Sequence, residues 1–175
     1  MSKLKIPADI PKDLMPIASE LHRLHESCLL SAQGQFELGK QWRAANLVLG
    51  VPAAVLAAIA GGTGLAASGK SVKSSVYALF AAGFGAALTT LNPSRRVALA
   101  QASANAYLEI QTSARQCLTI DLKKADYKVS RERLDKLTAK RDEINRTAEP
   151  PNFFARWRAN RNVENGGQDY EADSE

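Results

Sequence analysis

SSVYALFAAGFGAALTTLNPSRR, residues 74–96, contains 21 consecutive residues without a charged side chain and ends on two arginines. A second run, AANLVLGVPAAVLAAIAGGTGLAASG, residues 44–69, contains 26 uncharged residues. The hydrocarbon core of a bilayer is about 30 Å thick, and an α-helix needs about 20 apolar residues to cross it. Both runs reach that length, so the sequence predicts two transmembrane helices, at 44–69 and 74–94.

The connection between the two runs is short. Residues 70–73 carry two lysines, Lys70 and Lys73, and predict a turn. Gly61, Gly62, Gly64 and Gly69 are expected to fray the end of the first helix into that loop. Two spans joined by a tight turn form a hairpin with both termini on one side of the membrane. The positive-inside rule favours the cytoplasm for that side, because the open ends carry more basic residues than the turn, namely Lys40, Arg43, Arg95 and Arg96.

A soluble, alanine-rich bundle is the alternative interpretation of the two runs. A chain of 175 residues has too little other apolar surface to cover two helices that are apolar on every side. The formal net charge of +5 suits an anionic membrane surface better than a nucleic-acid groove. The sequence therefore favours a membrane protein with lipid as a partner and makes nucleic acid an unlikely one.

Small residues recur at every fourth position in both runs. Such spacing lets helix backbones approach closely within lipid and favours helix packing or oligomerisation. The alternative is that alanine and glycine are simply common here, and the spacing does not distinguish packing within the hairpin from packing between protomers. The residues assigned to this role are Gly50, Ala54, Ala58, Gly62, Ala81, Gly83, Gly85 and Ala87.

Polar residues are concentrated at the predicted cytoplasmic end of the second run. Thr89, Thr90 and Asn92 are candidates for lining a narrow pore in an oligomer. The alternative is local: threonine bonding back to its own helix and asparagine capping a helix end. No ionisable residue lies at mid-depth in either run, which argues against an ion-coupled transporter.

The segments that flank the two runs predict cytosolic stem helices. After an N-terminal tail at 1–13, residues 14–43 carry a heptad seam, and the seam predicts a helix. Its members are Leu14, Ile17, Leu21, Leu24 and Cys28. A similar seam follows the second run, so the two stem helices should pair antiparallel.

The stem region extends over residues 95–148. Asn92 and Pro93 predict a helix cap or a kink at its start. A second, charged helix is predicted from Ser130, as N-cap, to Thr147.

Residues 149–175 form the last segment. Phe153 to Arg161 interleave aromatic and basic residues, which is compatible with a membrane surface, with docking on the stem or with nucleic acid. The acidic tail beyond them predicts disorder.

Catalytic chemistry is not predicted. His22 and His25 share a helical turn without a third distant ligand, and so no metal site is expected. Residues 64–71 match the letters of a P-loop, but no strand precedes them, and no cofactor is expected. No set of nucleophile, base and acid stands out, which argues against an enzyme.

The layout resembles the SLATT domain, the SMODS and SLOG-associating two-transmembrane effector domain. The resemblance covers about residues 15–148 and rests on LHRLHE at 21–26, the two close spans, and NPSRRVALAQASANAYLEIQTSARQCLTIDL at 92–122. It implies an effector of a bacterial anti-phage or conflict system in the inner membrane. Such an effector would be triggered by a companion sensor, often a second-messenger synthase, and would form pores or disrupt the membrane to halt the infected cell.

The runner-up function is a membrane-anchored scaffold. Its helical stem would recruit partner proteins, and it would oligomerise without conducting ions. The two functions are separated by whether the protein depolarises a membrane.

Overall fold

The computed structural model describes residues 4–66 and 72–164, and it is all-helical over these ranges, as the sequence predicts. Its α-helices are α1 (Met15–Ala66), α2 (Val72–Leu91), α3 (Pro93–Thr119), α4 (Tyr127–Thr147) and α5 (Phe153–Glu164). Two short 3-10 helices lie at Lys12–Leu14 and Asp121–Lys123. The predictions for residues 67–71, including Gly69 and Lys70, and for the acidic tail after residue 164 lie outside the described residues.

The chain divides into two compact units. Gly39–Ala98 form one of them, called here the helix-pair unit, and Met1–Leu38 with Leu99–Glu175 form the other, the bundle unit. The helix-pair unit contains the second half of α1 together with α2. The bundle unit contains the first half of α1, most of α3, and helices α4 and α5.

The core of the bundle unit confirms the predicted seam of α1. Burial of one apolar side chain in every three or four positions fixes which side of a helix faces its neighbours. The core also contains Tyr107, Ile110, Ala114 and Leu118 of α3 and Leu134 of α4. The predicted seam residues are each at most 4% exposed, namely Leu14 in the 3-10 helix directly before α1 and Ile17, Leu21, Leu24 and Cys28 in α1.

Contacts between the two stem segments pair early residues of one with late residues of the other. Lys123 Nζ lies 3.0 Å from a carboxylate oxygen of Asp9, and Gln111 Nε2 lies 3.2 Å from His25 Nε2. The segment before α1, predicted as a tail, also belongs to this bundle: Ile10 is buried in the core. Its apolar residues alternate with Pro and charged residues, so there is no periodic pattern from which their burial could be predicted.

The start of α4 differs from the prediction. The helix begins at Tyr127 with Asp126 as its N-cap, and Ser130 lies within the first turn rather than at the cap. Ser130 is completely buried, and its hydroxyl donates a hydrogen bond to the Asp126 carbonyl oxygen at 3.0 Å. A hydroxyl that bonds back within its own helix is satisfied in the interior and does not need a capping position.

The end of α1 also differs from the prediction. The helix continues through Gly61, Gly62 and Gly64 to Ala66, so the glycines do not fray it. Each glycine costs about 1 kcal/mol of helix propensity relative to alanine. Close packing accompanies the helical conformation here, because a Cβ atom at Gly64 would lie only 3.3 Å from Ser74 Oγ. Lys73, predicted in the turn, lies in the first turn of α2.

The junction of α2 and α3 is a single residue. Asn92 has a positive φ of 44°, and its side-chain oxygen accepts a hydrogen bond of 3.4 Å from the Arg95 amide. Asparagine tolerates this left-handed conformation better than other residues with a side chain. Pro93 is the first residue of α3, where its missing amide hydrogen costs nothing.

Asn92→Ala should destabilise this junction by about 1–3 kcal/mol, since it removes a cap and places in the left-handed region a residue without the polar side chain that makes asparagine tolerant of it. Asn92→Gly should cost only a few tenths of a kcal/mol, since glycine accepts a positive φ and is a fair cap. The measurement is the thermal midpoint of the full chain in detergent. Equal losses in both variants would contradict the conformational explanation.

Both cysteines are buried free thiols in the bundle unit. Burial raises the pKa of the Cys28 thiol to about 11 and also raises the pKa of Cys117. Only the thiolate is strongly nucleophilic, so a buried thiol with a raised pKa reacts slowly. Cys28 therefore reports whether the bundle is closed.

We expect Cys28 to resist iodoacetamide near pH 8 in the folded protein and to react rapidly after denaturation. With a pKa of about 11 against an ordinary value of 9.0, the thiolate population is about 100-fold lower than in an unfolded chain. The folded thiol keeps its proton to higher pH, so this group lowers the free energy of unfolding only as the pH rises from about 9 towards 11. Mass spectrometry of the alkylated chain measures how far Cys28 reacts in the folded and in the denatured protein. Rapid labelling of the folded protein would contradict the prediction.

Candidate membrane-spanning and assembly surface

Two helical stretches are long and apolar enough to cross a membrane, and their apolar residues are exposed. In their most apolar 18-residue windows, 6% and 0% of the residues are buried inside the protein. A core helix of a soluble domain would have most of such a window buried. The helix-pair unit therefore has a broad apolar surface that residues 4–66 and 72–164 leave uncovered.

Large aliphatic and aromatic side chains form most of this surface. Val48 is 67% exposed and Leu79 is 73% exposed. Contiguous apolar exposure of this kind marks an interface with lipid or with another protein. The other exposed large residues of the unit are Leu47, Val51, Val55, Ile59, Val72, Val76, Phe80 and Leu91.

The two helices of this unit contact each other through small and polar residues. A Cβ atom at Gly50 would lie 3.8 Å from Leu88 Cδ1, and the Ser74 hydroxyl donates to the Ala60 carbonyl oxygen at 2.8 Å. These contacts pair early positions of one helix with late positions of the other, so the helices run antiparallel. Gly50 therefore packs within the pair.

The remaining predicted packing residues have open surroundings. A Cβ atom at Gly62, Gly83 or Gly85 would meet no other atom within 4 Å. Ala54 and Ala58 are exposed. Ala81 and Ala87 are partly buried. Most of the small-residue positions are thus not used for packing within the described chain.

Small residues that are exposed or partly exposed lie on two faces of α2. Ala78, Ala82, Gly85 and Ala86 recur at spacings that place them on one face, where no large side chain intervenes. Gly83 and Ala87 lie on another face among large exposed neighbours, Val76 and Phe80. On α1, the equivalent small positions are Ala54, Ala58 and Gly61.

The small positions of the two helices lie on the same side of the pair. When each helix is viewed from its N-terminus, its small residues lie clockwise of the side that contacts the other helix. Because α1 and α2 run antiparallel, the small residues of α1 and those of α2 therefore lie on the same side of the pair. We call this surface the small-residue face, comprising Ala54, Ala58, Gly61, Ala78, Ala82, Gly85 and Ala86.

The polar end of α2 has the local hydrogen bonds that the sequence offered as an alternative to pore lining. The Thr89 hydroxyl donates to the Gly85 carbonyl oxygen at 3.0 Å, and Asn92 caps α3 through the Arg95 amide. Thr90 is exposed. A backbone-bonded threonine still presents its methyl group and one face of its oxygen outward, so pore lining stays a prediction.

The basic residues at this end are joined by a contact that sequence reasoning missed. The Arg96 guanidinium lies 4.5 Å from the centroid of the Trp42 ring, a cation–π geometry. Its Nε donates to the Leu91 carbonyl oxygen at 3.1 Å. Lys40, Arg43 and Arg95 are exposed. The available signal was that Trp42 and Arg96 flank the open ends of the two apolar runs.

The bundle unit contains a cleft of about 560 Å³ between α1, α3 and the α4–α5 connection. Gln35 is 2% exposed and donates through Nε2 to the Glu149 carbonyl oxygen at 2.7 Å. The Tyr107 hydroxyl donates to Asn145 Oδ1 at 2.7 Å. These bonds hold the end of α4 against α1 and α3.

Metal coordination has no support in residues 4–66 and 72–164, where no group of three His, Cys, Asp or Glu side chains is placed to share an ion. His22 instead lies with Nε2 2.7 Å from the Leu4 carbonyl oxygen, and His25 pairs with Gln111. Both histidines therefore have structural contacts within the bundle.

Comparison with known proteins returns no relative. No protein-family model matches the chain, and no curated protein or solved structure matches it either. Function is therefore inferred from the exposed helix pair and the bundle.

Proposed function

We propose that this protein is a membrane effector of a bacterial anti-phage or conflict system. It inserts the helix pair as a transmembrane hairpin, oligomerises, and permeabilises the inner membrane to halt the infected cell. The system is suggested by the resemblance to SLATT domains, and the membrane action by the surface of the helix pair.

The observation that carries the proposal is the exposure of the apolar helices. Side chains such as Val48 and Leu79 are more than half exposed in windows that are almost free of buried residues. In water, every exposed apolar Å² costs about 25 cal/mol relative to burial. Lipid removes this cost, and the helices satisfy their own backbone hydrogen bonds, as a bilayer requires.

The proposed topology places both termini in the cytoplasm. Arg43, Arg95 and Arg96 lie at the open ends of the helix pair, and Arg95 and Arg96 are in the first turn after the Asn92 junction. Trp42 beside Arg96 forms an aromatic-basic contact of the kind found where helices meet lipid headgroups. The bundle unit is then a cytoplasmic stem.

Oligomerisation is needed because two helices cannot enclose a pore. The small-residue face supplies a surface on which a second copy can approach closely, and van der Waals packing drives such association within lipid. Thr89, Thr90 and Asn92 lie towards the proposed cytoplasmic end and would supply polar groups to a pore.

Activation is proposed to begin in the cytoplasmic stem. A companion sensor or second-messenger synthase would alter the packing of the bundle unit. Because α1 is one uninterrupted helix from Met15 to Ala66, a change in its first half can reorient the segment that enters the membrane. Contacts between protomers would then change.

The test is the membrane potential of bacteria that express the protein, followed with a voltage-sensitive dye. Depolarisation, alone or once the neighbouring genes supply the trigger, is the expected result. A membrane-inserted protein that never depolarises the cell with its neighbours present would instead favour the non-conducting scaffold.

A further inference from the structure

Helix α5 has one face that packs against the bundle unit. Ala155, Ala159 and Val163 recur at every fourth position and are 0%, 2% and 5% exposed. Asn162 Nδ2 donates to Gln33 Oε1 of α1 at 3.2 Å, and Asn152 caps the helix by accepting from the Ala155 amide at 2.8 Å. Docking on the stem therefore uses small residues and leaves the aromatic side chains out.

The opposite face of α5 is aromatic and basic. Phe153, Phe154 and Trp157 are 80%, 69% and 50% exposed, although such rings usually lie buried. Arg161 extends over the Trp157 ring, with its guanidinium carbon 5.5 Å from the ring centroid. Arg158 is exposed at the edge of the same face. We call Phe153, Phe154, Trp157, Arg158 and Arg161 the α5 aromatic face.

We propose that the α5 aromatic face binds the surface of an anionic lipid bilayer. Phenylalanine and tryptophan rings partition into the boundary between headgroups and acyl chains, and arginines beside them pair with lipid phosphates. Gln33, the α1 residue that Asn162 of α5 contacts, is close in sequence to the first apolar run at residue 44. A membrane would thus be the nearest large anionic partner if the helix pair spans it.

Ring geometry favours lipid over single-stranded nucleic acid. Successive bases stack on separate ring faces, which need to be open and roughly parallel. Phe153 and Phe154 instead meet edge to face, with ring planes at 80° and centroids 6.1 Å apart. This pair forms a compact apolar wedge, which suits insertion among acyl chains.

The test uses the full chain reconstituted in vesicles, with Trp157 as its sole tryptophan. Trp42→Phe removes the other of the two tryptophans and keeps a ring beside Arg96. Vesicles contain bromine-labelled phosphatidylcholine, alone or mixed with phosphatidylglycerol. We expect bromine to quench Trp157 strongly when phosphatidylglycerol is present and weakly when it is absent.

Arg158→Gln with Arg161→Gln should lower the ratio of docked to undocked α5 by roughly 30-fold in anionic vesicles, since each basic residue contributes about fivefold near such a surface. The matched control, Arg131→Gln with Arg146→Gln on α4, removes the same charge from exposed positions and should change nothing. Cys28 protection from alkylation verifies that both variants keep the bundle closed.

Five outcomes would overturn the proposal. If aqueous iodide quenches Trp157 fluorescence in both lipid mixtures, the α5 aromatic face is exposed to water. If neither iodide nor bromine quenches it, protein covers the face. Equal bromine quenching of Trp157 with and without phosphatidylglycerol excludes an anionic surface as the partner. Equal quenching with and without the Arg158→Gln and Arg161→Gln substitutions excludes it as well. A shift of the Trp157 fluorescence emission on adding an oligonucleotide, without a response to lipid, assigns the α5 aromatic face to nucleic acid. If the chain fails to insert, the spans are refuted separately, and adding the protein to preformed vesicles still tests α5.

Discussion

Replacing Gly85 by leucine will abolish depolarisation while the protein still enters the membrane. A Cβ atom at Gly85 would have no described atom of another element within 4 Å, so an added side chain would begin in open space. It would, however, stand on the small-residue face, between Ala82 and Ala86, where a second copy is proposed to pack. A branched side chain there holds two backbones apart and removes the close contacts on which association in lipid depends.

Gly83→Leu is the matched control for this variant. The chemical change is identical, the position lies two residues away in α2, and the surroundings are equally open. Its neighbours are the large exposed side chains Val76 and Phe80, so one more large residue should leave depolarisation intact.

The comparison is made at matched amounts of membrane-inserted protein, with a voltage-sensitive dye and with crosslinking to count protomers. Loss of depolarisation and of crosslinked oligomers in Gly85→Leu alone is the expected result. Similar behaviour of the two variants would exclude the small-residue face as the site of assembly, and normal depolarisation by Gly85→Leu would do so most directly.

Helices α1 to α4 were predictable because each depends on a local pattern, whereas no helix was predicted at α5. An uncharged run needs only its own length and composition to become a long apolar helix. The seam of Leu14, Ile17 and Leu21 repeats with a period that matches one side of a helix. Pro93 after Asn92 marks a helix start through the chemistry of two adjacent residues.

Features that depend on residues far apart in the chain were not predictable from sequence patterns. The side of the helix pair on which Gly85 lies follows from which residues touch the other helix, such as Gly50 against Leu88. The burial of Ser130 depends on how α4 packs within the bundle unit, and the stacking of Arg96 on Trp42 joins positions that are far apart in the chain. Periodicity identifies faces of helices but does not say which neighbour each face receives.

Helix α5 illustrates the same limit. Aromatic residues in an amphipathic segment normally indicate the buried side, and that rule would bury Phe153 and Trp157. Instead, Ala155 and Ala159 are buried. The connection just before α5 also packs tightly on α1, since a Cβ atom at Gly34 would lie 3.3 Å from Pro151 Cγ.

The second large effect concerns the core of the bundle unit. Leu118→Ala should lower the free energy of unfolding of the bundle by about 2–5 kcal/mol, since it removes a buried side chain and leaves a cavity. Leu118 is 0% exposed and belongs to the core that α1 and α3 share. A typical domain is stable by about 5–15 kcal/mol, so the variant should open at much lower urea concentration.

Ile120→Ala provides the control two residues further along the chain. Ile120 is 64% exposed, and truncating an exposed side chain should change stability by less than about 0.5 kcal/mol. Opening is measured on the full chain in detergent by pulsed alkylation of Cys28 across a urea series, because that buried thiol reacts only when the bundle unfolds. If the two variants shift the urea midpoint equally, the packing of α1 against α3 is not what closes the bundle. If only Leu118→Ala shifts it, the stem is held by this core, and a trigger that loosens the same contacts has a defined free energy to overcome.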